Sequence, residues 1–256
     1  MPIKPRFVGL LGLADVITVG NAVFGFVAAA VAAIDVTLAA QLILLAAIAD
    51  GLDGVVARSR GATPTGEYLD SLADVASFAV APAVFVFVIA RDAGGLGPTT
   101  AAGVSYIAAA VLSLFVAVAV IRLGLYTAYD LGEQHTEGMQ TTLAATLLAA
   151  IHLAGVHERL GVSEGALLVG VAGICVYMMV APVSYPELYA RDALVMGGLQ
   201  ALALLFPTFA GGLFAGGLLS FALAYLVLAP RFYWRGEPTP ASDRTEQIAA
   251  REGADD

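Results

Sequence analysis

The chain has 256 residues, of which 59% are hydrophobic and 13% charged, and its mean hydropathy is +0.86. Soluble domains are roughly half apolar and about a quarter charged, so these values exclude an ordinary soluble domain and any sizeable soluble catalytic unit. The 21 acidic residues outnumber the 12 basic ones, which excludes the basic surface that nucleic-acid binding requires. Lysine occurs once, at Lys4, and such an acidic, lysine-poor composition favours a halophilic source. The single cysteine, Cys175, excludes an intramolecular disulfide and a metal–thiolate cluster.

Long apolar runs follow one another along most of the chain. Because a bilayer-spanning helix needs about 20 mostly apolar residues, the sequence predicts an all-α, polytopic membrane helix bundle with about eight transmembrane helices. The predicted spans are 10–33, 37–57, 66–90, 99–121, 139–155, 164–181, 193–206 and 209–229. Residues 1–235 form the predicted transmembrane domain, for which we expect no removable signal peptide. Residues 236–256 are polar and acidic, and we expect a disordered cytoplasmic tail.

The distribution of Lys and Arg predicts the orientation of the chain. With eight spans and the N-terminus in the cytoplasm, ten basic residues fall on the cytoplasmic side and only Arg91 and Arg159 fall outside. We therefore expect a multi-pass protein of the cell membrane with both termini inside and with the connections 58–65 and 122–138 facing the cytoplasm. Small residues within the helices indicate close helix packing and are compatible with a homodimer.

Four aspartates lie at the predicted cytoplasmic ends of the second and third spans. Asp50 and Asp53 are three residues apart, and Asp70 and Asp74 are four apart, so each pair shares one face of its helix. The short connection 59–65 predicts that the two helices are antiparallel neighbours, which would bring the pairs together. Ionised side chains at membrane depth are costly and by default mark a function.

These carboxylates predict a site for divalent cations. Oxygen ligands without His or Cys select hard ions such as Mg²⁺, Mn²⁺ or Ca²⁺, and two such ions about 3.5–4 Å apart promote displacement at phosphorus. Gly54 and Gly66 would let a phosphate or nucleotide approach the backbone, and Arg58 offers a planar fork to its oxygens. From the residues alone, an ion-transport site or helix-end acids that face water remain alternatives.

The aspartates also lie in a recognisable string. Residues 50–58 read D-G-L-D-G-V-V-A-R and residues 66–74 read G-E-Y-L-D-S-L-A-D. They resemble the signature of the CDP-alcohol phosphotransferases, D-x-x-D-G-x-x-A-R followed by G-x-x-x-D-x-x-x-D, with every defined position filled. Residues 69–83 are similar to the phosphatidylserine and archaetidylserine synthase branch. Thr18 and Asn21 match the T-x-x-N element of that branch, and residues 183–186 resemble a shortened form of its V-S-x-x-x-Y-P element.

The resemblance implies a six-helix family core, here extended by two helices, and a transferase of phospholipid biosynthesis. The implied reaction moves a phosphatidyl-type group, archaetidyl in a halophilic archaeon, from a CDP-activated lipid to a small alcohol, L-serine, with release of CMP. Asp74 is the implied acceptor of the serine hydroxyl proton. The implied ligands of two Mg²⁺ or Mn²⁺ ions are Asp50, Asp53, Asp70 and Asp74. The implied CDP-lipid residues are Thr18, Asn21, Gly54, Ala57, Arg58 and Gly66.

The acceptor alcohol is less well defined by the sequence. The branch has R-L-A-R-F-N after the fourth helix, whereas this chain has R-L-G-L-Y-T from Arg122 onward and keeps only the first arginine. We expect Arg122 to line the acceptor pocket. Glycerol phosphate and inositol phosphate remain alternative acceptors, although Asp130, Glu133 and Glu137 alongside disfavour a second phosphate. In another functional class, a cation transporter could use the four aspartates as a relay, but the sequence has no convincing inverted repeat.

Overall fold

The computed structural model describes residues 9–93, 105–130, 135–186 and 188–233. Within these ranges the chain is helical apart from its turns and two three-residue strands, which confirms the predicted all-α class. The predicted tail, residues 236–256, lies outside the described residues.

The helices coincide closely with the eight predicted apolar runs. Helix α3 (Gly66–Asp74) continues through a π-helical turn into α4 (Ala81–Ala93), and the two form one rod. The elements are α1 (Leu13–Val31), α2 (Val36–Arg60), α3 (Gly66–Asp74), α4 (Ala81–Ala93), α5 (Tyr106–Leu125), β1 (His135–Glu137), α6 (Thr141–Leu153), α7 (Val156–Leu160), α8 (Glu164–Val180), β2 (Ser184–Pro186), α9 (Ala190–Leu205) and α10 (Leu213–Phe232).

Five of these rods are long and apolar enough to cross a membrane. They are α1, α2, the α3–α4 rod, α5 and α10. Helices α6 and α8 are apolar but have only 13 and 17 residues. The structure therefore agrees with a polytopic membrane protein, and the number of eight spans stays a prediction.

Two π-helical turns lie next to polar residues. Val75–Val80 follows Asp74 directly, and Tyr126–Asp130 extends α5 beyond Arg122. A π turn inserts an extra residue into an α-helix and is frequent at functional sites. Within the first turn, Phe78 is fully buried in the core.

Helix α1 packs against both helices that carry the aspartates. Its contact with α2 is the most extensive in the bundle, and it also contacts α3 and the π turn, whereas the direct contact between α2 and α3 is slight. The π turn comes very close to α1 at Gly25, where a Cβ would stand 2.6 Å from the Cα of Ser77. Small residues allow such backbone contact between membrane helices. The aspartates of α2 and α3 therefore face each other beside α1, rather than along a packed pair of neighbours.

Candidate active site

Three of the four predicted aspartates converge where α2 and α3 face each other. Asp50 comes from α2, and Asp70 and Asp74 come from successive turns of α3. One carboxylate oxygen of each lies within 4.8 Å of the other two. Asp74 is buried and the other two are half-buried. We refer to Asp50, Asp70 and Asp74 as the carboxylate cluster.

The fourth aspartate, Asp53, lies beside this cluster. It is buried, and its Oδ2 accepts a hydrogen bond of 2.6 Å from the Thr18 hydroxyl. Spacing predicted that all four aspartates come together, whereas the structure has three close carboxylates and, beside them, a fourth that accepts a hydrogen bond from α1.

Helix α1 supports the aspartates through two side chains that the sequence assigned to CDP-lipid binding. Besides the bond from Thr18, the fully buried Asn21 donates from Nδ2 to Asp74 Oδ1 over 3.4 Å. The Ser77 hydroxyl in turn donates to the Asn21 carbonyl oxygen at 2.8 Å, which fixes α1 against the π turn. Thr18 and Asn21 therefore orient carboxylates, and their contact with a CDP-lipid stays a prediction.

A fifth carboxylate near the site, Asp15, was missed by the sequence analysis. It is buried, and it accepts hydrogen bonds from the Gly12 backbone N–H (2.7 Å) and from the Thr63 hydroxyl (2.9 and 3.0 Å to its two oxygens). A Cβ on Gly66 would stand 3.3 Å from its Oδ1. Asp15 thus fastens the turn before α3 to the start of α1. The available signal was its place in the first helical turn, where an acidic side chain caps the backbone.

The remaining predicted CDP-lipid residues lie in the last turns of α2. Gly54 and Ala57 are half-buried, and Arg58 is exposed. The Arg58 guanidinium folds back along its own helix, so a Cβ on Gly54 would stand 3.4 Å from Nη1. A guanidinium next to a glycine, where no side chain covers the backbone, suits the binding of a phosphate.

A cavity of about 190 Å³ opens beside the carboxylate cluster. Its lining includes Arg122 from α5 and Thr136 from β1. Arg122 is buried, its Nη2 donates to Thr136 Oγ1 over 3.1 Å, and its guanidinium carbon lies 5.8 Å from the centre of the Tyr126 ring. The residue that was predicted to bind the acceptor thus shares one cavity with the carboxylate cluster.

Other polar residues of this cavity were not assigned from the sequence. His135 lies on β1, Gln140 precedes α6, Thr142 is in the first turn of α6 and Tyr185 is on β2. The Thr142 hydroxyl donates to Asp50 Oδ2 over 3.5 Å. Burial raises the pKa of the Tyr185 phenol, so its hydroxyl stays protonated. Two signals touched this group: residues 183–186 resemble a family element, and residues 138–142 stand where the family has G-L-P-T.

The carboxylate cluster fits hard divalent cations. Carboxylates this close repel one another unless a cation or a proton offsets their charge. Within the described residues the cluster contains oxygen ligands alone, a donor set that suits Mg²⁺, Mn²⁺ or Ca²⁺.

Comparison with known families gives the same result as the motif. Residues 11–182 match the model of the CDP-alcohol phosphatidyltransferases. The chain belongs to this family. The match includes every predicted site residue from Thr18 to Arg122, and it takes in the described helices from α1 to α8. Helices α9 and α10 lie beyond it.

Two relatives of this CDP-alcohol phosphatidyltransferase carry names that refer to serine. An archaetidylserine synthase from Methanothermobacter thermautotrophicus is 29% identical over 193 residues, which are 73% of this chain and 75% of the relative. A CDP-diacylglycerol–serine O-phosphatidyltransferase from Mycobacterium leprae is 58% identical over 50 residues, 19% of this chain and 17% of that relative. The protein is thus a membrane transferase of phospholipid biosynthesis. The family generally uses divalent metals, in agreement with the carboxylate cluster.

Proposed function

We propose that the enzyme transfers a phosphatidyl-type group from a CDP-activated lipid to the hydroxyl of L-serine and releases CMP. The observation that carries this proposal is a single cavity lined by three close carboxylates and by the buried guanidinium of Arg122. The similarity to two relatives named for serine supports the acceptor. The acidic, lysine-poor composition supports a halophilic source and hence an archaetidyl group.

On the donor side, the carboxylate cluster would hold two Mg²⁺ or Mn²⁺ ions, with Asp53 as a further ligand at its edge. When bound, such ions neutralise the diphosphate and stabilise the charge that develops in displacement at phosphorus. Arg58 would bind phosphate oxygens, for which its exposed position beside Gly54 is suited. Thr18 and Asn21 would contact the CDP group. The small residues Gly54, Ala57 and Gly66 would let it come close to the backbone.

In the transfer, the serine hydroxyl oxygen forms a bond to the lipid-side phosphorus. The bond from that phosphorus to the CMP oxygen breaks, and CMP leaves as an anion. Asp74 accepts the hydroxyl proton. Its burial and its hydrogen bond from Asn21 support this role, because a positioned base needs a fixed orientation.

On the acceptor side, Arg122 would bind the serine carboxylate through its planar guanidinium. An acceptor with its own phosphate would bring about two negative charges into a cavity that already contains three carboxylates, which disfavours glycerol phosphate and inositol phosphate. Of the acids that were predicted to add to this effect, Glu137 is exposed on β1. Glu133 and the side chain of Asp130 lie outside the described residues. Membership of an enzyme family decides against the cation transporter.

We further propose that residues 1–235 form the membrane domain, that residues 236–256 form a tail, and that both termini and the active site face the cytoplasm. The ten-to-two distribution of basic residues supports this orientation. Cysteines introduced at positions 62 and 236 should both react with a membrane-impermeant reagent from the cytoplasmic side alone. Labelling from opposite sides would contradict the orientation. A homodimer stays a prediction.

The function is tested with purified enzyme, CDP-lipid and a panel of labelled acceptors comprising L-serine, glycerol 3-phosphate and inositol phosphate. We expect serine to become lipid-soluble, with about one CMP released for each product. Incorporation of a phosphorylated alcohol in place of serine would overturn the acceptor and leave the reaction class intact. Failure to release CMP with any acceptor would overturn the transfer itself.

A further inference from the structure

A two-stranded ribbon forms part of the cavity wall. In this ribbon β1 pairs antiparallel with β2, with Thr136 opposite Tyr185. Both residues line the cavity, and Thr136 accepts the hydrogen bond from Arg122. The ribbon therefore supplies one of the contacts that orient the guanidinium.

Helix α10 holds the ribbon through hydrogen bonds in both directions. The Tyr225 hydroxyl on α10 donates to the Pro186 carbonyl oxygen on β2 at 2.7 Å. The Tyr185 hydroxyl on β2 donates to a backbone carbonyl of α10 over 3.3 Å. Tyr225 is buried, and its ring centre lies 6.0 Å from that of Tyr185.

The chain that follows β2 is fastened to the end of the same helix. The backbone N–H of Tyr189 donates to the Tyr233 hydroxyl oxygen at 2.8 Å, and the Tyr233 hydroxyl donates to the Asp192 carboxylate. The rings of Tyr189 and Tyr233 have their centres 4.6 Å apart. The segment from β2 to the start of α9 is thus held along the last two turns of α10 and just beyond.

The chain that follows β1 is also bonded to α8. The backbone N–H of Met139 donates to the carbonyl oxygen of Met178 in the last turn of α8, and that of Gly138 donates to the carbonyl oxygen of Val183, just before β2, each at 2.9 Å. Gly138 has φ +74°, and a Cβ there would collide with the Met179 carbonyl. The ribbon is therefore held between α8, which lies within the family match, and α10, which lies beyond it.

We propose that α10 is a positioning element for the acceptor half of the site and that Tyr225 is the positioning residue through which it acts. Tyr225 is not one of the described residues that line the cavity. Its effect on acceptor binding therefore passes through Pro186 and the ribbon to Thr136 and Arg122. The carboxylate cluster is supported separately by α1. A looser ribbon should therefore change acceptor binding and leave CDP-lipid binding unchanged. The proposal relies on the proposed function for the identity of the acceptor.

The test is Tyr225→Phe, which removes the hydroxyl and keeps the ring. Its matched control is Tyr177→Phe, because Tyr177 is 69% exposed on α8. Loss of one buried hydrogen bond should raise KM for serine by about three- to tenfold, while KM for CDP-lipid stays within about twofold of wild type. Hydrogen exchange in residues 135–139 and 183–186 should become faster in Tyr225→Phe and stay unchanged in the control.

The outcomes separate the positioning role from a structural one. Unchanged exchange in the ribbon, or faster exchange with an unchanged KM for serine, would overturn the proposal. An equal rise of both KM values would also overturn it, because general destabilisation would affect both substrates. If the wild-type enzyme uses another alcohol, the proposed function fails at that step, and the same KM comparison with that alcohol still tests Tyr225. The exchange measurement needs no acceptor.

Discussion

The two sides of the cavity are assembled in different ways. The carboxylate side comes from α1, α2 and α3, with its aspartates three and four residues apart in the sequence and supported by α1. The acceptor side comes from α5, the ribbon and α6, and its lining residues extend from Arg122 to Tyr185 in the sequence. Helix α10 lies outside this lining and holds the ribbon through Pro186. The carboxylate side therefore corresponds to a short sequence motif. The acceptor side depends on hydrogen bonds between elements that are distant in the sequence. Substitutions on the first side should therefore affect the chemical step, and those on the second should affect the choice and affinity of the acceptor.

The largest expected effect is on the carboxylate side and comes from removing metal. The cluster consists of oxygen ligands, so activity should vanish in EDTA and return with Mg²⁺ or Mn²⁺ but not with Zn²⁺ alone. The measurement is CMP release after dialysis and readdition of each ion. Full activity in metal-free buffer would remove the divalent cations from the proposed reaction.

Asp74→Asn should have the next largest effect. The substitution keeps size and hydrogen bonding but removes the charge that accepts a proton, so turnover should fall by about 10²–10⁴-fold while CDP-lipid still binds. Glu67→Gln is the matched control, because Glu67 is an exposed acid on the same helix. Asp53→Asn should instead weaken metal and CDP-lipid binding together. If high Mn²⁺ restored Asp74→Asn to near the wild-type rate, Asp74 would be a metal ligand and not the base.

Gly25→Ala tests the support that α1 gives to the carboxylate side. The added methyl group would stand 2.6 Å from the Cα of Ser77, which must force α1 away from the π turn. We expect a loss of stability of about 1–3 kcal/mol, measured as a lower thermal midpoint in detergent. Gly20→Ala on the same helix has open space around it and should keep the wild-type midpoint. Equal midpoints for the two variants would show that the contact at Gly25 can relax.

The smallest expected effect is on the acceptor side. Arg122→Lys keeps the charge but removes the planar fork, so KM for serine should rise by about tenfold while KM for CDP-lipid stays unchanged. Arg191→Lys is the control, because the Arg191 side chain is 85% exposed. A change in KM for CDP-lipid alone would assign Arg122 to donor binding. It would contradict the division of the cavity into a carboxylate side and an acceptor side.

The sequence predicts the carboxylate side of the cavity better than the acceptor side. Apolar runs predicted the bounds of the long helices to within four residues, except that α5 begins seven residues after the predicted start of its span. The agreement arises because a bilayer-spanning helix needs a long apolar run. Helical spacing predicted that Asp70 and Asp74 share a face, and the short connection 59–65 predicted that they come near Asp50, with which they do converge. Spacing could not predict that Asp53 lies at the edge, since that depends on a hydroxyl supplied by α1.

Most of the acceptor side could not be predicted from the sequence. Thr136 and Tyr185 are 49 positions apart and meet through strand pairing, and neither belongs to a periodic pattern. Asp15 was missed because it lies outside the recognised motif, and its role depends on Thr63 in the turn before α3.

The π-helical turn Val75–Val80 sets the angular phase of the rod that carries two of the aspartates. An α-helix turns about 100° per residue, so the extra residue allows Asp70 and Asp74 to face Asp50 while α4 presents Phe85 to the core. Deleting one residue from this turn would remove none of the aspartates. It would nevertheless rotate them by about 100° relative to α4. The phosphotransferase signature thus depends on a residue count that lies outside the signature itself.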